Sequence, residues 1–231
     1  HLVKINGEAL LDRTLRLARQ RAPGAGYVVV AFDSMYDRPS CERFAPTHGP
    51  TDFCDTDKLL SARERWAPAG QTVLLWGDVF FSKAAMAAIL GYEGPARFFG
   101  RREGSLCTGC PWRELFALSF PASEQAAVAT FMEAVRADLL ANRLEKGGGW
   151  AVYERMFGGT LEGLTVIDDF TDDFDWPADY ERWRRRYGNR AWRVVGPWCG
   201  RTVKSWRWRL ARWRARLGGR PHASAKAAGK C

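Results

Sequence analysis

The sequence predicts an α/β domain followed by a basic carboxy-terminal helix and tail. Three observations carry this. Tyr27-Val28-Val29-Val30-Ala31-Phe32 and Val73-Leu74-Leu75-Trp76 are short, continuous apolar runs of the kind found in strands buried on both faces. Segments with helical periodicity alternate with such runs, which is the order that builds βαβ units. An aspartate closes each run, Asp33 after the first and, through Gly77, Asp78 after the second. In open α/β sheets, ligands bind at the carboxyl ends of strands.

Taken in order, His1 to Ile5 leads as a loop or short strand into the turn Asn6-Gly7. Glu8 to Arg21 reads as a helix, with Leu10, Leu11, Leu15 and Ala18 on one face and Arg13, Arg16 and Arg19 alternating outward. Pro23-Gly24-Ala25-Gly26 ends it, and Tyr27 to Phe32 follows as a buried strand. The strand that would precede this helix in a βαβ unit is expected to fall before His1. Ser34 to Asp55, with Pro39, Pro46 and Pro50, reads as loop. Lys58 to Trp66 reads as a short helix capped by Thr56 or Asp57, and Pro68-Ala69-Gly70 breaks it. Val73 to Phe81 is the central strand, followed by a helix from Ser82 to Leu90 that stops at Gly91.

Ala96 to Gly100 and Glu114 to Phe120 read as strands around a Gly- and Cys-bearing loop. Pro121 opens a helix that runs to about Arg143. Gly147-Gly148-Gly149 is a hinge-like break before a helix from Trp150 to Phe157. Leu164 to Ile167 is the last strand, and Pro177 starts a helix continuing to Tyr187. Residues 1–188 are thus expected to form one domain and residues 189–231 an appended arm.

The charge is divided unevenly along the 231 residues. The formal net charge is +9, yet every one of the 26 acids lies at or before Glu181. From Arg182 onward there are 16 Lys and Arg and no acid, which describes an acidic body with a basic arm. No apolar run reaches the roughly eighteen residues of a membrane span. Cys41, Cys54, Cys107, Cys110, Cys199 and Cys231 show no disulfide-scaffold spacing. Cys107-Thr-Gly-Cys110 would need two further ligands for zinc, from Cys41, Cys54 or His48, so reduced, unliganded thiols and a cytoplasmic setting are expected. Because the first residue is His1, the natural amino terminus is expected to lie upstream.

Between the last strand and the last helix come Asp168, Asp169, Asp172, Asp173 and Asp175, five acids in eight residues. Like charges this close repel unless a cation or basic partner offsets them. Asp175 stands where it would cap the following helix, or it faces Asp78 across the sheet edge. Two carboxylates from separate strand ends sharing one Mg²⁺ suit a nucleoside triphosphate, because magnesium keeps coordination positions for phosphate oxygens. Gly77, without a Cβ, lets a phosphate or metal approach the backbone. Asp179, in the first turn of the last helix, offsets the helix dipole.

Three segments in order resemble sugar-phosphate and choline-phosphate nucleotidyltransferases. His1-Leu-Val-Lys-Ile-Asn-Gly-Glu-Ala-Leu-Leu-Asp-Arg-Thr-Leu is similar to the stretch after that family's signature loop. Leu74-Leu75-Trp76-Gly77-Asp78-Val79 is similar to its first metal motif, and Asp173-Phe-Asp175-Trp-Pro-Ala-Asp179-Tyr180 to its second. The resemblance covers residues 1 to about 187. It implies a Rossmann-like, three-layer domain with a mainly parallel mixed sheet. It implies nucleotidyl transfer from a nucleoside triphosphate to a phosphorylated acceptor, releasing pyrophosphate. Asp78, Asp175 and Asp173 would hold Mg²⁺; Gly77, Thr56 and Ser61 would lie against the nucleotide. The family's glycine-rich loop, with its Arg and Lys, would fall before His1, and Lys4 does not match that Lys. Arg101 and Arg102 read either as acceptor-phosphate contacts or as exposed loop residues.

In the arm, Trp206, Leu210, Trp213 and Leu217 form one apolar stripe over 202–217 among arginines. That pattern suits an anionic membrane surface or docking on the acidic body, with nucleic acid ranked behind both. The last dozen residues read as disordered. Two rival functions stand beside nucleotidyl transfer: a glycosyltransferase of related fold using a nucleotide-sugar, and a non-enzymatic membrane- or nucleic-acid-binding module.

Overall fold

The computed structural model describes residues 3–47, 55–105, 107–145 and 147–188. The arm at 189–231, with its expected helix over 202–217, lies outside the described residues.

Lys4–Ile5 (β1) and Glu8–Ala9 (β2) pair antiparallel about Asn6 and Gly7, whose φ values are 52° and 84°. Consecutive positive φ makes a tight two-residue turn, which Asn-Gly tolerates. The hairpin holds Glu8 and Ala9 extended, so the first helix starts at Leu10 (α1, Leu10–Arg21) rather than Glu8. Val28–Val30 (β3) pairs parallel with Glu42–Phe44 (β4). β3 is half-buried, not buried as its apolar run predicts, because among the described residues it pairs on one side only. β4 lies in a stretch read as loop; two of its three residues are charged and leave no apolar signal.

Asp55–Ser61 (α2) and a 3₁₀ turn at Arg63–Arg65 replace the helix expected over Lys58 to Trp66. Thr56 and Asp57 lie inside the first turn of α2. The single central strand expected from Val73 to Phe81 is two: Gln71–Leu75 (β5), a mostly half-buried edge strand of the main sheet, and Val79–Phe80 (β6), separated by a turn at Trp76-Gly77-Asp78. Lys83–Leu90 (α3) starts as expected, with Ser82 Oγ accepting from the Ala85 N–H at 2.9 Å. Ser82 also bonds the Asp169 carboxylate. Ser82→Ala is therefore expected to cost about 1–2 kcal/mol, read as a lower denaturation midpoint with an unchanged slope.

Arg97–Arg101 (β7) and Glu114–Pro121 (β8) follow, then Gln125–Leu140 (α4), Gly149–Phe157 (α5), Leu164–Val166 (β9), Asp172–Asp173 (β10) and Pro177–Trp183 (α6). The fold is mixed α/β with six helices among the described residues. The main sheet runs β5-β8-β7-β9, with β8 antiparallel to both neighbours and β9 parallel to β7. It is mixed rather than mainly parallel because β7 returns directly through the loop at 102–113 into β8, with no crossover helix to restore direction.

The two faces of the sheet bury different clusters. Phe98, Leu118 and Phe120 pack with Met132 of α4 and with Val152 and Tyr153 of α5. Phe99 and Phe116 pack with Leu17 of α1 and with Met86 and Ile89 of α3. A third cluster of Ile5, Leu10, Phe80, Cys107 and Trp183 ties the hairpin and α6 to β6. The β7–β8 register shifts between Phe99 and Gly100. A Cβ on Gly100 would collide with the Glu114 carbonyl oxygen, so Gly100→Ala is expected to destabilise by about 1–3 kcal/mol in urea unfolding.

Candidate functional site

One edge of the main sheet gathers Asp78, Glu114 and the acidic run at 168–175. The carboxyl ends of β5, β7 and β9 lie there, and so does the amino end of antiparallel β8, as the pairing of Arg101 with Glu114 fixes. Asp78 follows β5, Arg101 ends β7, Glu114 opens β8, and the acidic run follows β9.

The two segments expected to meet are paired. β10 runs antiparallel to β6, with Asp173 opposite Val79 and Asp172 opposite Phe80. The Phe174 N–H donates to the Asp78 carbonyl at 3.1 Å, and Asp175 is the next residue. Apolar packing and buried hydrogen bonds fix this arrangement. Phe80 packs against Trp183 with ring centroids 4.5 Å apart and the ring planes tilted by 50°. The Ser82 N–H donates to Thr171 Oγ1 at 3.0 Å. Arg13 donates to the Phe81 carbonyl at 2.6 Å while its guanidinium lies 3.9 Å from the Phe80 ring centre.

On the β8 side, two carboxylates, Asp172 and Asp173, share the Arg101 guanidinium. Asp172 is fully buried; it bonds Arg101 and Ser105, and accepts from the Thr108 N–H at 3.3 Å. Asp173 is only 9% exposed. Its Oδ1 has no hydrogen-bond partner and lies 3.9 Å from Arg101 Nη2, which also has none. Burial, then the charges of Glu114, Asp172 and Asp175, push the Asp173 carboxyl up to about 8. Glu114 is also raised, first by burial, and accepts a long S–H bond from Cys110 at 3.4 Å. The Cys110 thiol is pushed up to about 11, mainly by burial, which makes it a poor nucleophile.

These shifts set a pH dependence. A folded-state carboxyl raised above its unfolded value binds protons that the unfolded chain has released, so stability falls as pH rises. The loss begins in the ordinary carboxylate range and is complete above about pH 8 for Asp173. Thermal midpoints are expected to fall between about pH 5 and about pH 9, roughly the span of that titration, and Asp173→Asn to flatten most of the slope.

Asp78 is half-buried, and its carboxyl is raised chiefly by burial, with Lys58 pulling the other way. Gly77 is exposed in the turn. Thr56 is fully buried, and Ser61 turns inward, its Oγ donating to the Lys58 carbonyl at 2.8 Å. The structure thus brings Asp173 and Asp175 into one electrostatic cluster with Glu114. It joins the Asp78 segment to theirs through the backbone, while the Asp78 carboxylate feels Lys58 of α2 rather than Asp173 or Asp175. Gly148 and Gly149 approach from α5: a Cβ on Gly149 would stand 2.8 Å from the Trp76 ring.

Some readings are corrected. Arg101 is not an exposed loop residue but a mostly buried partner of Asp172, so it is already engaged. Asp175 is not the helix cap; Trp176 takes that place, and its N–H donates to Asp179 at 2.9 Å. Asp179 has the structural role expected, also binding Arg182 at 2.5 Å. Glu114 and Lys58 were not singled out from sequence. A lone acid opening the otherwise apolar run Leu115 to Phe120 was the available signal for Glu114.

Cys41, Cys107 and Cys110 are free thiols; His48, Cys54, Cys199 and Cys231 lie outside the described residues. Among the described residues, no group of three or more His, Cys, Asp or Glu side chains is already arranged to hold a metal. The donor chemistry nevertheless suits a hard cation, since excess carboxylate surrounds a buried oxygen that lacks a hydrogen bond. No helix among the described residues is long and apolar enough to cross a membrane. Comparison with protein-family models finds no match, and comparison with curated proteins finds none either.

Proposed function

We propose that this sheet edge transfers a nucleotidyl group from a nucleoside triphosphate to a phosphorylated small molecule, in a Mg²⁺-dependent reaction within a Rossmann-like, three-layer frame. The observation that supports the reading is the pairing of β6 with β10, which sets the Asp78 and Asp175 segments side by side; in open α/β sheets ligands bind at the carboxyl ends of strands. Asp78 and Asp175 would hold the cation, with Asp173 behind Asp175. Bound there, Mg²⁺ would neutralise charge on the phosphates.

The chain's own residues supply the rest. Lys58, paired with Asp55 at 3.5 Å, has a small effect on Asp78. Burial first, and then the neighbouring carboxylates, raise Asp173; a bound cation would offset the second of these. An acceptor phosphate is already ionised near neutral pH, so its oxygen attacks the α-phosphorus without a general base. The α–β anhydride bond breaks and pyrophosphate leaves. The protein would be cytoplasmic, with residues 202–217 available for peripheral contact with anionic membrane.

The test is pyrophosphate release by the full chain, screened over nucleoside triphosphates with Mg²⁺ and phosphorylated sugars or amino alcohols. Metal-dependent pyrophosphate release supports the reading. Sugar transfer from a nucleotide-sugar without pyrophosphate would replace it with glycosyl transfer. Binding to liposomes or heparin with no turnover would replace it with a binding module.

A further inference from the structure

We infer that the surface formed by α6 and the loop at 102–113 lies against an anionic lipid bilayer, a contact made by the folded body and separate from the apolar stripe of the arm. The two segments adjoin. Arg182 of α6 donates to the Thr108 carbonyl, and a Cβ on Gly109 would stand 3.9 Å from Arg182 Cδ. Each segment carries one bare indole. Trp112 in the loop and Trp176 at the start of α6 are each 71% exposed, the most exposed of the large apolar side chains among the described residues. An indole left in water gains by entering a lipid headgroup layer, where its ring is desolvated and its N–H keeps a polar partner.

Charge selects the partner. Trp183 anchors α6 to the body, buried against Phe80, while Arg182, Arg184, Arg185 and Arg186 around it are exposed. Asp179 is paired with Arg182 and Glu181 with Arg184, so neither acid leaves the helix negative. Asp175, exposed beside Trp176, opposes the contact. Against it, the chain from Arg182 onward carries 16 Lys and Arg and no acid. Each Lys or Arg near an anionic leaflet strengthens partitioning about fivefold. A nucleic acid is the poorer fit. Strand binding without sequence preference uses a basic groove with aromatic side chains in series. Here the indoles stand on separate segments, and the described arginines of this surface gather at one helix end. The contact would turn the acidic sheet edge, where both segments begin, toward the bilayer. What that serves in turnover rests on the nucleotidyl-transfer reading.

The full chain is to be co-sedimented with phosphatidylcholine vesicles, with and without phosphatidylglycerol. Binding is expected only where phosphatidylglycerol is present, and is expected to weaken as salt rises. Trp112→Ala/Trp176→Ala should weaken it about tenfold, as partial burial of two indoles implies. Arg185→Gln/Arg186→Gln should weaken it about 20-fold. Circular dichroism checks the fold of both, and the arginine pair decides the outcome if Trp176→Ala disturbs the start of α6. Absence of phosphatidylglycerol-dependent binding overturns the inference. So does wild-type binding by either folded double variant, which would leave the arm acting alone. Retention on single-stranded DNA without vesicle binding overturns it too, and assigns the charge to nucleic acid. No turnover is read, so the two readings fail separately. Vesicle binding without pyrophosphate release removes nucleotidyl transfer and leaves the lipid contact. Pyrophosphate release without vesicle binding does the reverse.

Discussion

Asp172→Ala is expected to destabilise the protein by about 3–5 kcal/mol. The carboxylate is fully buried and bonds Arg101, Ser105 and the Thr108 backbone together. Removing it leaves a guanidinium that is 11% exposed without its main counter-charge. It also unties the loop before β8, because Ser105 Oγ accepts from the Cys107 and Thr108 N–H groups at 2.9 Å each. Breaking one side of a buried pair costs more than the pair contributes over an apolar substitute. Chemical denaturation should therefore show a large loss for Asp172→Ala and a smaller one for Asp172→Ala combined with Arg101→Met. If the double variant is less stable than the single, Arg101 has other partners that matter more.

Asp78→Asn and Asp175→Asn are each expected to lower pyrophosphate release by about 100- to 1,000-fold. Amide for carboxylate keeps shape and removes the charge that would hold a divalent cation. The loss should fall on kcat at saturating nucleotide and be relieved little by raising Mg²⁺. Asp179→Asn should behave differently. That carboxylate binds the Trp176 N–H and Arg182, so its loss should lower stability and leave turnover per folded molecule near wild type. Equal activity loss from Asp179→Asn would mean the helix start, rather than the carboxylates at 78 and 175, governs turnover.

The helices and the strands of the main sheet were legible because their apolar positions repeat at fixed periods. Phe98 and Phe99 occupy opposite faces, as strand alternation requires, and α1 buries the leucine face read from its spacing; Arg13, read as pointing outward, is instead buried, because its guanidinium packs on Phe80 and donates to the Phe81 carbonyl. The division of the Val73–Phe81 run was not legible. Periodicity does not reveal that Gly77-Asp78 turns the chain so that Val79 and Phe80 pair with Asp172 and Asp173 instead of extending β5. The antiparallel β8 was hidden for a similar reason: strand direction depends on the connection, and the loop at 102–113 carries no crossover helix. Asp78, Asp173 and Asp175 were visible as acids at strand ends. Glu114 was not, because its position at the edge follows from the direction of β8.

Titration of the full chain with Mn²⁺, read by electron paramagnetic resonance, tests the shared-cation site most directly. One bound Mn²⁺ is expected, weakened severely by Asp78→Asn and by Asp175→Asn alike. A Mn²⁺ site that keeps wild-type affinity in either variant would contradict a cation held jointly by these two aspartates.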